Sequence, residues 1–368
     1  MELYVLDKDL NMLGVIDDYE SLVWERKYSR VGAFTLSIVP NKYNYNLLKK
    51  ENILIKNDGS LDPMYIDDIN LERDEDGIET LIIEGLGLLD YLRRRITQRK
   101  QKVSGNAETV IRTYVDTNAI TTEPNRIIPH LKLGTNNNLG DLIEHNAHYK
   151  ELLEEISNLA EYQELGIKLQ TDLKTKDLIF NIYQGLDRTS EQVNNPRALF
   201  SKDYENIRTY KYNHSIRDYK NTCLVAGAGE DKNRKTLLIG DNNSGLDRYE
   251  LFIDARDISD TKTSGDNEIS IPIEEYNKLL KSRGEEKLSE HSIIESFEGE
   301  VLDNQGLIYK KDYDLGDKVT VYSNEWNILL HTRIIGITET YSSEGLNIDI
   351  HFGNKKPDIL KKIKRRMT

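Results

Sequence analysis

The sequence predicts an α+β, β-rich fold: an antiparallel β-barrel or sandwich domain toward each end of the chain, an α+β block between them, and a small helical insert. Three observations predict it. Apolar and polar residues alternate through both terminal regions, which is the period of half-buried strands. Apolar residues recur at three- and four-residue steps chiefly in the middle of the chain. The 368 residues exceed what one small core organises, so two to four domains are expected.

Residues 1–102 are expected to form the first β domain. Leu3 and Val5, then Phe34, Leu36 and Ile38, then Ile53 and Ile55, then Leu81 and Ile83 carry the alternation. Turns fall at Arg30-Val31-Gly32, Asn57-Asp58-Gly59 and Asp76-Gly77, residue types that tolerate positive φ. Residues 43–50 and 86–95 have helical spacing and are placed over the open ends of this sheet. Residues 103–188 form the α+β block. AETVIRTYVDTN reads as one helix and DLIEHNAHYKELLEEISNLAEYQE as a second, with Leu142, Tyr149, Leu152, Ile156 and Leu159 along its apolar stripe. GIKLQTDLKTKDLIFNIYQG then alternates as a hairpin with its tip at residues 174–176.

Strand character returns in NIRTYKYNHSI, NTCLVAGAGE, RKTLLIGD and RYELFIDARDI. Residues 189–260 together with 300–354 are accordingly assigned to the second β domain. Residues 261–299 are read as the insert, mostly at the surface. It comprises polar DTKTSGDNE, a helix after Pro272 ending at Arg283-Gly284, where glycine suits a C-cap, and a helix led by Ser289 and running to Phe297. DYDLGDKVTVYS, WNILLHTRIIGITETY and LNIDIHFG return to the β pattern, the last two joined between Ser342 and Gly345. Residues 355–368 form a basic C-terminal tail. No solenoid-length repeat is visible.

Hydrophobic residues make up 38% and charged residues 31% of the chain, the composition of a globular protein rather than a disordered one. No apolar run approaches the roughly 18 residues that span a bilayer, so no membrane partner is expected. The opening MELYVLDKDLNML lacks a basic segment followed by an apolar one, so no signal peptide is expected and assembly is placed in the cytoplasm. Net charge is −13. The last 14 residues carry seven bases and one acid, which leaves −19 on the rest of the chain. Such a body repels nucleic acid and gives no specific nucleic-acid partner, yet like charge also suits the wall of a passage through which DNA slides. The basic tail suits an acidic neighbour, nucleic acid or plain solvation at a helix end.

The chemistry-bearing patterns are weak. Cys223, the sole cysteine, excludes an intramolecular disulfide and a CxxC pair, and within NTCLVAG it reads as a core residue. GLGLLD at Gly85 puts Asp90 where a dinucleotide fingerprint needs its third glycine, and GAGEDK at Gly227 puts Lys232 there and reads as a hairpin tip. His145 and His148, three apart beside Glu144 and Glu151 on an expected helix, lack HExxH spacing and read as solvated residues; His291 is more isolated still. Asp241, Asn243, Asp247 and Glu250 space like a calcium loop, but Leu246 stands at the glycine position, and a β-turn accounts for them. Among 63 acids, paired carboxylates carry no signal, and no nucleophile elbow is present. No catalytic residue, metal ligand or cofactor is assigned.

The order of short strings is more specific. It begins with Tyr28, Gly32, Phe34 and Pro40 in YSRVGAFTLSIVP, then Gly85 and Leu89 before basic residues 93–95. Tyr183, Gly185, Asp187 and Arg188 follow in YQGLDRT, then Phe200-Ser201, Asn206-Ile207 and Tyr212. Next come Lys220 and Asn221 with Gly227 and Gly229, Arg248 and Glu250, and Asp254 through Arg256 to Asp257 in DARD. Last is DYDLGDKV, with Asp312, Tyr313, Asp314, Leu315, Gly316, Asp317 and Val319. In this order the chain resembles, over nearly its whole length, the siphovirus-type phage tail hub (baseplate hub or tail-tip) family. That family also occurs in phage-tail-like bacteriocins and is similar to the central hub of T-even phage baseplates.

The resemblance implies that the two β domains are tail-tube-like, and that three chains form a pseudo-sixfold ring joining a hexameric tail tube to a trimeric spike or tip. The implied partners are the chain itself, the tail tube protein, a spike or tail-tip protein, and tape-measure and baseplate proteins. Asp187, Arg188, Lys220, Asn221, Arg248, Glu250, Asp254, Arg256, Asp312, Asp314, Gly316 and Asp317 are the family-motif or interface candidates. Pairs such as Asp187 with Arg188 and Asp254 with Arg256 suit either subunit bridging or internal structure. The alternative to a non-catalytic hub is a tail-associated cell-wall hydrolase with its acids in the α+β block. The basic end after Gly353, in place of the long lysin or fibre-attachment extension of many tail-tip proteins, speaks for the hub.

Overall fold

The computed structural model describes residues 1–60, 62–98, 101–240, 243–264, 267–301 and 306–353. The first region contains β1 (Leu3–Leu6), β2 (Met12–Ile16), β3 (Ser21–Lys27), β4 (Ala33–Ile38), α1 (Lys42–Leu47), β5 (Ile53–Lys56), β6 (Met64–Arg73) and β7 (Glu79–Gly87). These strands pair antiparallel in the order β3-β4-β7-β6-β5-β1-β2. Leu22 and Trp24 of β3, Phe34, Leu36 and Ile38 of β4, and Leu81 and Ile83 of β7 share one core with Leu3 and Val5 of β1, five places along the sheet from β3. The sheet therefore curls over its own apolar face without closing into a barrel. The Asn41 side chain caps α1 by accepting from the Asn44 backbone N–H.

The middle block holds β8 (Gln101–Asn106), α2 (Ala107–Val115), β9 (Leu131–Leu133), β10 (Leu142–Ala147), α3 (Leu152–Tyr162), β11 (Gly166–Asp172) and β12 (Asp177–Tyr183). The expected hairpin is β11–β12, with β9 added parallel to β12. The long second helix is corrected. Residues 142–147 form a strand paired with β8, and Tyr149 takes a left-handed φ of 53° that no continuous helix passes through. Leu142, counted in the apolar stripe, is 86% exposed. His145 and His148 therefore share no helix face. The predicted helical stretch at 86–95 is a 3-10 helix, Leu88–Arg94, whose Leu88, Leu89 and Leu92 pack with α2 and α3 in the block's core.

The remaining elements are β13 (Leu199–Phe200), β14 (Ile207–Ser215), β15 (Thr222–Ala226), β16 (Thr236–Gly240), β17 (Glu250–Asp254), β18 (Thr261–Ser264), β19 (Asn267–Ser270), α4 (Ile273–Ser289), β20 (Ile294–Val301), β21 (Lys318–Ser323), β22 (Ile328–Ser342) and β23 (Gly345–Gly353). β14, β20, β23 and β22 pair in that order, and β22 then pairs antiparallel with β3, so the two terminal β regions share one continuous sheet.

Three sequence expectations change here. β15, β16 and β17 do not join that sheet but form their own, order β16-β15-β17, backed by α4. α4 runs straight through Gly284: a Cβ there would stand 2.4 Å from Ile239 Cδ1 and 2.8 Å from Val225 Cγ2, so the glycine serves close helix-to-sheet approach rather than a C-cap. The expected Ser289–Phe297 helix does not form: Ser289 ends α4, residues 290–293 are the connecting loop and residues 294–297 open β20, because Phe297 and Val301 alternate into the C-terminal core.

Candidate functional site

Eight strands, β14-β20-β23-β22 and β3-β4-β7-β6, form the spine of the molecule. Counted along the chain within each group of four, both read first, second, fourth, third. The likeness extends to irregularities. The third strand of each group carries a bulge against the fourth, between Ile66 and Asp68 in β6 and between Ile334 and Gly336 in β22. Before its bulge each third strand pairs with an accessory strand, β5 for β6 and β21 for β22. After its bulge β22 crosses to β3, whereas the corresponding edge of β6 pairs with nothing among the described residues. The face turned away from the two cores is polar: Glu25, Thr35, Glu84, Glu298, Glu300, Thr338 and Asp349 stand on it by alternation.

A buried charge cluster locks the β22–β3 seam. Lys56 at the end of β5 and Glu339 on β22 are both fully buried and in direct contact. Asp58 lies 3.1 Å from Lys56 and 2.7 Å from Lys310. The Tyr309 and Tyr341 hydroxyls donate to Glu339 at 2.8 and 2.5 Å, and Arg26 reaches Asp62 (3.1 Å), Asp314 (3.0 Å) and Tyr309 (2.9 Å). Burial pushes the Glu339 carboxyl up, but the Lys56 and Lys310 charges with the Lys56 and Tyr341 hydrogen bonds outweigh it and hold it below its usual range. Asp62 goes the other way, because burial outweighs the pull of Arg26, Lys168 and Lys56. Arg26, Lys56, Asp62, Lys310 and Glu339 were hidden from motif reading, whereas Asp314 stood in DYDLGDKV. The available signal was charge at inward-facing positions: Lys56 two residues after Leu54, Glu339 two after Ile337.

The sequence candidates fall into two groups. Asp187, Arg188, Asp312, Asp314, Gly316 and Asp317 gather around the turn before β21. Arg188 pairs with Asp317 at 2.8 Å rather than with Asp187. Asp317 also accepts from the backbone of Leu186 (2.7 Å) and Asp314 (3.1 Å). Asp187 accepts from Thr189, and Asp312 from the Ile308 backbone at 2.9 Å. Gly316 has φ 96°, so the left-handed turn requires it, and its carbonyl accepts from Arg333.

The second group rims the β15–β17 sheet. Arg248 pairs with Glu250 and Arg256 with Asp254, each at 2.6 Å. Asn221 bridges Asp247 and Tyr249, and the Lys220 backbone donates to His291. On the sheet face opposite α4, Leu238, Leu224 and Phe252 lie directly across from one another. They are 57%, 41% and 59% exposed, and Glu250 and Asp254 flank Phe252. Asp241 of the calcium-like spacing lies outside the described residues. Burial raises the Cys223 thiol to about 11, and His145 is buried between Tyr114 (2.9 Å) and Glu286 (3.3 Å).

Residues 2–354 match the family described as siphovirus ReqiPepy6 Gp37-like protein. The chain belongs to this family. No curated protein matches it. Among solved structures, the chain is similar to a tail protein from Neisseria meningitidis MC58, with TM-score 0.58 and 13% identity over 95% of both chains. It is similar to prophage tail protein gp18 from Listeria monocytogenes EGD-e, with TM-score 0.57 and 10% identity over 99% of this chain and 98% of that one. It is also similar to the 43 kDa tail protein of prophage MuSo2 from Shewanella oneidensis, with TM-score 0.55 and 13% identity over 96% and 98%. These likenesses establish a shared β-rich tail-protein fold, and family membership puts the chain among the constituents of phage-tail particles.

Proposed function

We propose that the chain is a non-catalytic hub subunit, three copies of which form a pseudo-sixfold ring between a hexameric tail tube and a trimeric spike or tip. The observation that carries this reading is the duplicated four-strand group. A trimer facing six tube subunits needs two similar surfaces per chain, and β3, β4, β6, β7 with β14, β20, β22, β23 supply them in matching order and with matching bulges. Head-to-tail joining already exists inside the chain at β22–β3, and a heterologous contact that repeats with rotation closes a ring.

In this ring the polar, acid-bearing face lines the passage, where like charge keeps DNA from adhering. The turn around Arg188 and Asp317 and the rim of Arg248, Glu250, Asp254 and Arg256 meet neighbouring subunits. Partners are the tail tube protein, the spike or tip, and tape-measure and baseplate proteins, assembled in the bacterial cytoplasm. Native mass spectrometry and particle imaging of the chain with its tube and tip partners test the reading: three copies per ring are expected, and a persistent monomer in their presence overturns it.

A further inference from the structure

We infer that the ring closes by antiparallel pairing of the outer half of β6 in one copy with β14 of the next, with Glu72 opposite Lys211 and Leu71 opposite Tyr212. The inference rests on the ring reading above and adds the strands, their direction and their register.

The internal seam is the template. There, the third strand of one group after its bulge meets the first strand of the other, with Gly336 opposite Lys27 and Ser342 opposite Ser21. In the equivalent roles two strands each leave one edge unpaired among the described residues: the third strand β6 beyond Ile66, whose other edge pairs with β7, and the first strand β14, at the end of the shared sheet. Aligning the two bulges makes Asp68 equivalent to Gly336 and Leu86 equivalent to Gly353. Ala33 pairs with Leu86 and Ser296 with Gly353, so those two are equivalent. Glu25 pairs with Ala33 and Asn213 with Ser296, which makes Ser215 the counterpart of Lys27. Transferring the seam then sets Asp68 against Ser215, Asn70 against Asn213, Leu71 against Tyr212, Glu72 against Lys211 and Arg73 against Tyr210.

Two features not used to derive this register agree with it. The first is facing. Leu71 pairs with Leu81 and Tyr212 with Phe297, so both stand on the apolar side of their own sheets. Each is nevertheless exposed, 56% and 37%, because nothing lies beyond the edge; the register puts them together. The second is charge. Residues 67–79 hold seven acids and one base, while β14 holds two bases and no acid. Opposite charges facing across a strand pair stabilise it, and like charges do the reverse.

The test uses the full chain carrying Asn70→Cys and Asn213→Cys together, since directly opposed Cα atoms lie within disulfide reach and native Cys223 is buried. Mild oxidation should give covalent trimers on a non-reducing gel, and neither single variant should exceed a dimer. In parallel, Glu72→Lys or Lys211→Glu should weaken trimer formation about 3–10-fold, and the two reversals combined should restore it. All four positions are at the edge, so unchanged thermal unfolding confirms folding. Trimers by native mass that neither cross-link nor respond to the reversals overturn this pairing and leave the ring reading standing. Monomers under every condition overturn both.

Discussion

Glu339→Leu should destabilise the chain by roughly 3–5 kcal/mol, the range for removing one member of a buried ion pair, and should cost more than Lys56→Met. The asymmetry follows from the partners left behind. Without Glu339, the fully buried Lys56 ammonium keeps Asp58 at 3.1 Å as its one carboxylate, with the Trp24 and Tyr341 rings 5.5 and 5.7 Å away. The Tyr309 and Tyr341 hydroxyls also lose the acceptor they share, at about 1 kcal/mol each. Without Lys56, Glu339 retains both hydroxyls and Lys310 at 3.9 Å, and methionine fills the volume of the lysine stem. Lys56→Met should therefore cost about 1–3 kcal/mol. The double variant replaces the pair by apolar groups and should lie well above the sum of the singles, with a coupling of about 2 kcal/mol or more. Urea unfolding followed by tryptophan emission reads this directly, since Trp24 is fully buried in the same core while Trp326 is 61% exposed. A Glu339→Leu variant within about 1 kcal/mol of the parent, or strictly additive singles, would refute the claim that this pair holds the seam.

Other outcomes follow from single contacts. Glu339 and Asp58 both titrate below their usual range in the folded chain, so their contribution is complete above about pH 4.5 and is lost as pH falls through their folded values; urea midpoints should drop on acidification below pH 4, and less so in the Lys56→Met/Glu339→Leu double variant. Gly185→Ala places a Cβ 2.0 Å from the Gly316 carbonyl oxygen and 2.5 Å from the Asp317 nitrogen, all backbone, and should cost about 2–3 kcal/mol in thermal or urea unfolding. Asp317→Asn weakens the charge-assisted bond to Arg188 and should cost about 1–3 kcal/mol by the same measurement. Native protein should resist thiol alkylation at pH 8, with Cys223 reacting only on unfolding, as its raised pKa and burial require.

Alternation made the strands legible, because burial on one face leaves a two-residue period that survives any tertiary arrangement. β4, β11, β12 and β23 lie where that period placed them. What the period does not encode is which sheet a strand enters. β15, β16 and β17 alternate like their neighbours, yet they stack on α4 because Gly284 lets the helix approach Cys223 and Val225. The 142–162 segment failed for a related reason: three- and four-step apolar spacing in Leu142, Tyr149 and Leu152 was coincidental across a strand, a left-handed residue and a helix start. The turn chemistry of Gly316 and Asp317 was visible in DYDLGDKV, whereas the partner of Arg188 lies 129 residues away and no spacing rule reaches it.

The two seams of the proposed ring are built for different histories. The internal one forms once, during folding, and tolerates a buried Lys56–Glu339 pair whose partners cannot escape. At the equivalent places of the open edges stand Leu71 for Glu339 and Tyr212 for Trp24, with no buried charge to desolvate, which suits a contact that must first exist exposed to water. A bare strand edge pairs indiscriminately. Here the acidic stretch around β6 repels a second β6, so isologous pairing of that edge is disfavoured while the head-to-tail contact of Glu72 with Lys211 is drawn together. Charge on the edges thus keeps the free chain from self-pairing wrongly and sets the direction in which the ring grows, and salt should weaken both effects together.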